Sequence, residues 1–251
     1  MSLDPPADRP VAGSYLSDIG AWTHSEVMRR RTTRPFGAAF PQGRLGVIAE
    51  IKRASPSEGP IAPDIDPVAV AKAYEAGGAS AISVLTSRRD FAGSLVDLER
   101  VREAVDLPLL CKDFTVDPYQ VLEARTHGAD AVLVIMALVE DALAQAIMQA
   151  AEDLEMDVLC EVHDIADLRR ALDLGAPIIG VNARDLQTLE VNRTTQRELI
   201  RSVPPGFVVV AESGIASPAD AKAAQAAGAA GILVGTALMR DPGLLEELVR
   251  A

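Results

Sequence analysis

The chain has 251 residues, a formal net charge of −12, and 49% hydrophobic against 24% charged residues. That balance suits a soluble globular protein, either one large α/β barrel or two small domains, and the negative charge argues against nucleic acid or an anionic membrane as partner. Two cysteines, Cys111 and Cys160, make no disulfide framework, and His24, His127 and His163 have no metal-ligand spacing with them, so no metal is implied.

Residues 1–45 stand apart from the rest. They open MSLDPPADRPVAGSYL, acidic and proline-rich, without a basic region followed by an apolar run. No apolar run anywhere approaches the roughly 18 residues of a membrane span. These features predict no signal peptide and a cytoplasmic location. Tyr15, Leu16, Ile19, Trp22, Glu26 and Arg30 then take up a helical spacing that ends in the basic run Arg29-Arg30-Arg31. Such a helix either caps the bottom or flank of the domain formed by residues 46–251 or leans over its substrate.

From Gly46 onward, apolar strands alternate with helical runs. GVIAEI from Gly46 leads to the helix DPVAVAKAYEA, and AGGASAISVL from Ala76 leads to SLVDLERVREAV. LPLLC from Leu107 precedes DPYQVLEARTH, and HGADAVLVI comes next from His127. MDVLCEV from Met156 leads to IADLRRALDL, then come LGAPIIGV from Leu174, FVVVAE from Phe207, the helix SPADAKAAQAA and AGAAGILVG from Ala227. Four of these strands are entered through Gly-Ala at a helix end, where glycine suits the left-handed residue just past a C-terminus. Their Val/Ile/Leu runs without polar alternation suit parallel strands buried on both faces. Several helices open with Asp or Ser followed by Pro, an N-terminal signal. Eight strands alternating with helices over residues 46–251 predict an α/β fold: a single (β/α)₈ TIM barrel, rather than an open doubly wound sheet, with a short N-terminal helical extension.

In such barrels the chemistry sits at the C-terminal ends of the strands, which makes those ends a search list. Strand 1 ends with Glu50, Lys52 and Ser55, strand 3 with Lys112 and Phe114, and strand 5 with Glu161. Strand 6 ends with Asn182 and Arg184, strand 7 with Glu212, Ser213 and Gly214, and strand 8 with Gly235 and Thr236. Side chains alternate along a strand, so Glu50 and Lys52 share the face that points into the barrel mouth. By the same parity Cys111 and Cys160 face the helix layer as small buried hydrophobes. Two lysines and three glutamates converging at one end form a cluster in which desolvation and like charges tune acid–base groups. Ser213-Gly214 and Gly235-Thr236 offer backbone N–H groups, with a short helix expected at Thr236, where barrels commonly bind phosphate. The Gly228–Gly231–Gly235 spacing is no dinucleotide fingerprint, since it runs helix to strand. Ser213 has neither a nucleophile elbow nor a partnered histidine.

AEIKRASPSEG, FAGSLVDL, KDFTVDPYQVLEARTHGADAVLVI, EVH, GVNARDL, AESGI and LVGTALM, in this order over residues 46–240, resemble the indole-3-glycerol phosphate synthase family. The resemblance implies a small phosphorylated substrate, 1-(2-carboxyphenylamino)-1-deoxyribulose 5-phosphate, closed, decarboxylated and dehydrated in tryptophan biosynthesis without metal or organic cofactor. It implies Lys112 as the general acid of ring closure and Glu161 as acid/base in dehydration. Lys52 would hold the anthranilate carboxylate or assist proton transfer with Glu50 as its partner, and Asn182 and Glu212 would orient hydroxyls and stabilise charge. Ser55, Gly214, Gly235 and Thr236 would hold the phosphate, Phe91 and Phe114 would wall the ring, and Arg184 matches a binding position. The chain departs from the family pattern at Ser87, commonly acidic, at Cys111, commonly Arg or Met, and in a shorter, less charged leading segment.

Two rival readings have sequence signatures of their own. An isomerase of phosphorylated sugars would want a Cys or Asp acid–base pair at strands 1 and 7, where this chain has Glu50/Lys52 and Glu212. A non-catalytic barrel would have lost some of the five charged positions, and all five are present. A monomer or weak oligomer is expected.

Overall fold

The computed structural model describes residues 33–40 and 43–251; the helical pattern expected over Tyr15–Arg30 lies outside them. Eight parallel strands close a barrel in chain order. They are β1 Gly46–Ile51, β2 Ala81–Leu85, β3 Leu109–Lys112, β4 Ala131–Ile135, β5 Asp157–Val162, β6 Ile178–Asn182, β7 Val208–Glu212 and β8 Gly231–Val234. The helices outside them are α1 Pro67–Ala76, α2 Leu95–Ala104, α3 Tyr119–Thr126, α4 Asp141–Asp153, α5 Ile165–Asp173, α6 Arg193–Arg201, α7 Pro218–Ala227 and α8 Leu244–Val249. Short helices at Arg88–Phe91 and Thr236–Arg240, and a hairpin pairing Ala54–Ser55 with Gly59–Pro60, decorate the C-terminal mouth.

Local chemistry accounts for the joints. Gly78, Gly128, Gly175 and Gly228, the glycines of the four Gly-Ala junctions, have φ of 86°, 90°, 76° and 116°. A Cβ is disfavoured in that left-handed region, so each helix stops there and the chain turns into the next strand. Asp66 and Ser217 cap α1 and α7 from their side chains with Pro at the first helical position. Asp117-Pro118 is shifted by one. Pro118 is itself the cap residue of α3, and Asp117 accepts from the Tyr119 amide at 2.8 Å.

Strand parity splits the core in two. Ile48, Ala81, Leu110, Ala131, Leu133, Ile135, Leu159, Ile178, Val210 and Leu233 pack inside the barrel. The residues of opposite parity, among them Val47, Ala49, Val84, Val132, Val134 and Ile179, pack against the helices. Cys111 and Cys160 are free and buried in that outer layer. The floor is closed by residues ahead of β1: Phe36 is wholly buried in the inner cluster, and Phe40 meets it edge-on with ring centroids 5.8 Å apart. Residues 34–40, assigned from sequence to the extension, thus complete the barrel's interior from below.

Candidate active site

The inward-facing set of several strands ends in a polar group at the mouth. On β1 the order is Ile48 then Glu50, with Lys52 just past the strand end; the Lys52 Nζ lies 2.9 Å from Glu50 Oε1. Ser83, paired in register with Glu50 on β2, donates to Glu50 Oε2 at 3.4 Å. Gly235 leaves room for this pair, since a Cβ there would stand 2.3 Å from Glu50 Oε1.

Across the mouth, Lys112 from β3 stands between two carboxylates. Its Nζ is 3.3 Å from Glu161 Oε2 and 3.4 Å from Glu212 Oε2. Glu161 and Glu212 are 2% and 1% exposed. Burial alone would pull the Lys112 ammonium down, but Glu161, Glu212 and Glu50 together push its pKa well above the ordinary lysine value. The two carboxylates diverge. Burial works against ionisation of Glu161, yet Lys112, His163 and Asn182 hold its pKa well below the usual range. Asn182 Nδ2 donates to Glu161 Oε1 at 3.0 Å, while its Oδ1 accepts from the Arg184 amide at 2.9 Å, which fixes the side-chain orientation. Burial raises the Glu212 pKa, and Lys112 only partly offsets it, with the Glu161 charge adding to the rise. Neither Glu212 oxygen has a hydrogen-bond partner. Glu212 lies directly over Gly180 of β6, where a Cβ would stand 2.1 Å from Oε1.

These groups line a cavity of about 760 Å³, large enough for a drug-sized ligand. Leu133, Ile135 and Leu233 form its base, and Phe91 and Phe114, with centroids 6.3 Å apart, stand on one wall. Ser55, Ser213, Gly214, Gly235, Thr236 and Arg184 line it as well, so every candidate taken from the strand ends reaches one cavity. Ser213 and Gly214 both take the left-handed conformation, φ 62° and 74°. A non-glycine residue held there costs about 1–3 kcal/mol, a strain that clusters at ligand-binding turns. The short helix at Thr236 starts where expected. The lining carries six cations (Lys52, Arg89, Lys112, Arg184, Arg193, Arg240) and six acids (Glu50, Glu58, Asp90, Asp113, Glu161, Glu212). A chain with net charge −12 therefore presents a locally balanced mouth to an anion. Among the described residues no group of three or more His, Cys, Asp or Glu side chains is arranged to hold a metal ion.

Four residues escaped the strand-end search. Arg193 at the start of α6 is ion-paired with Asp220, and Arg240 reaches Glu58 of the hairpin at 2.6 Å. Both lie on helices, where strand parity gives no signal. Ser83 sits in mid-strand and reads as a small core residue. His163 was findable: it is two residues beyond Glu161, the spacing that identified Lys52 beyond Glu50.

A family model for indole-3-glycerol phosphate synthase matches residues 19–250. The chain is 46% identical over 244 residues to the indole-3-glycerol phosphate synthase of Beutenbergia cavernae, covering 96% of this chain and 86% of that one. It is 51% identical to that of Micrococcus luteus, covering 86% and 80%, and 53% identical to that of a Parafrankia species, covering 77% and 72%. A 3-hexulose-6-phosphate synthase crystal structure superposes with a TM-score of 0.67 over 82% of this chain and 99% of that one. At 17% identity that likeness shows the barrel fold alone.

Proposed function

Because the chain belongs to the indole-3-glycerol phosphate synthase family, a family of carboxy-lyases of tryptophan biosynthesis, we propose how the mouth residues divide its ring closure, decarboxylation and dehydration. The substrate is the phosphorylated anthranilate–sugar adduct 1-(2-carboxyphenylamino)-1-deoxyribulose 5-phosphate. The observation that carries the proposal is Lys112 standing between the two buried carboxylates of Glu161 and Glu212, 3.3 and 3.4 Å from its Nζ.

Closure forms a bond from the ring carbon bearing the carboxylate to the ketone carbon, and the ketone oxygen takes a proton. Lys112 gives that proton. Glu212, protonated and 3.4 Å from Nζ, restores it, so the developing charge never has to cross water. The carboxylate then leaves as CO₂ and its bonding electrons return to the arene. Lys52, one step from Glu50, orients that carboxylate against Phe91 and Phe114. Dehydration places one proton on the departing hydroxyl and removes one from the new ring. Glu161 is the acid/base of that exchange, aligned by Asn182.

Ser55 and the turns at Ser213-Gly214 and Gly235-Thr236 hold the phosphate with Arg184 nearby, at the position where barrels commonly bind it. The protein works in the cytoplasm as a monomer or weak oligomer, without nucleic acid or membrane partners. The test is fluorescence detection of indole-3-glycerol phosphate from the synthetic adduct: formation at enzymatic rates is expected, and its absence would overturn the reading.

A further inference from the structure

His163 comes directly after β5, two residues beyond Glu161, yet it does not line the cavity. Its Nε2 lies 3.2 Å from Glu161 Oε1, and its Nδ1 lies 3.8 Å from Asp167 Oδ2 on α5. Each ring nitrogen thus faces a carboxylate. Asp167 is itself fixed from three sides. It accepts from the His163 amide at 3.3 Å, it meets Arg170 Nη1 at 3.5 Å, and its own amide donates to Asp164 at 2.8 Å. An imidazole held between two carboxylates, 14% exposed, is a recurrent way of fixing both orientation and charge.

The two carboxylates on Lys112 are nearly equivalent as far as the lysine is concerned, at 3.3 and 3.4 Å. Two buried carboxylates sharing one cation do not both ionise readily, and which one keeps the proton depends on what else touches them. Asn182 donates to Glu161, but an amide carries no net charge. His163 is the one further cation-forming group within 4 Å of either carboxylate among the described ion pairs. We propose that His163 is a positioning residue which, as an imidazolium braced by Asp167, decides between the two carboxylates, so that Glu161 enters the reaction as the base and Glu212 as the acid. This rests on the reading of Glu161 and Glu212 as proton-transfer groups.

The groups that bear on His163 are Glu161 on β5, Asp167 and Arg170 on α5, Lys112 and Asn182 through Glu161, and Asp185 on the loop after β6, whose carboxylate feels the imidazole charge. Burial lowers the imidazole pKa, but Asp167 and Glu161 outweigh it and push it up to about 9. The imidazolium therefore persists through neutral pH and is lost as pH rises through that value.

The chain has three histidines, so the imidazole C–H resonances can be followed one by one by NMR, with the His163→Gln protein identifying the third. In the intact protein the His163 resonance is expected to titrate near 9, and in Glu161→Gln to fall by more than one unit. In the rate profile, His163→Gln keeps a donor without the charge. The acid limb of kcat/KM is then expected to move up by about one pH unit, a roughly tenfold loss at pH values below that limb that vanishes above it, with KM little changed. Asp167→Asn should move the limb the same way by less, and it covers the case in which His163 variants fold poorly. A His163 resonance titrating in the ordinary range in the intact protein, or a His163→Gln profile that superposes on it, would overturn the inference. Retained activity in Glu161→Gln would instead overturn the role of Glu161, which separates the two failures.

Discussion

At the floor of the barrel, just ahead of β4, the buried carboxylate of Asp130 is hydrogen-bonded through both oxygens. It accepts from Arg102 Nη1 at 2.9 Å and from the amides of Leu109 and Arg34 at 2.8 Å each. At the mouth Glu212, just as buried, has one lysine at 3.4 Å and no hydrogen bond. The same fold thus treats two carboxylates in opposite ways. Satisfied charge at the N-terminal end ties strands and helices together, whereas a carboxyl left without hydrogen bonds at the C-terminal end is held ready for a ligand.

The sharpest way to break that contrast is at Lys112. Lys112→Ala should lose on the order of 10²–10⁴ in kcat, the usual worth of a positioned general acid, while binding of a product analogue falls much less. Lys112→Arg should not recover the rate, because a guanidinium keeps its proton. Steady-state kinetics beside analogue titration check both, and recovery by arginine would make the lysine an electrostatic anchor only.

The floor should respond in stability instead. Asp130→Asn withdraws the carboxylate from a guanidinium that is 8% exposed, a change that costs about 3–5 kcal/mol in comparable buried pairs. Denaturant unfolding should register that loss while kcat per folded molecule stays unchanged. A fall in kcat with little loss of stability would mean that the two ends are coupled.

The smallest effect concerns the sign of the pH dependence at Glu212. Its pKa is raised in the folded chain, so between the ordinary glutamate value and that raised value the native state holds a proton that the unfolded state has released. Stability from this group is complete below the ordinary value and is lost as pH rises through the raised one. Glu212→Gln should therefore melt higher than the unaltered protein at pH 7, with the difference vanishing near pH 4, and should be less active. Equal melting temperatures at both pH values would place Glu212 among the ordinary carboxylates.

Much of the barrel and its mouth was legible because the fold writes itself in short local signals. The Gly-Ala junctions need left-handed residues, and inward parity puts Glu50, Lys52, Lys112, Glu161, Asn182 and Glu212 at one end. What was not legible depends on distance in the chain. Phe36 closes the floor by joining the inner cluster of strand residues, and Arg240 meets Glu58 across 182 residues; neither has a local pattern. His163 behind the wall meets Glu161 and, on α5, Asp167 through contacts that no strand parity announces.

The parity that turns Lys112 and Glu161 inward turns their neighbours Cys111 and Cys160 outward, beneath the helices. Burial pushes both thiols up to about 12, and only the thiolate alkylates readily. In the closed molecule both are therefore inert, and each becomes reactive when the helix layer lifts from the strand that carries Lys112 or Glu161. Pulsed alkylation followed by peptide mapping would thus time the opening of β3 and β5 separately, with reporters the chain already carries and no substitution in the mouth.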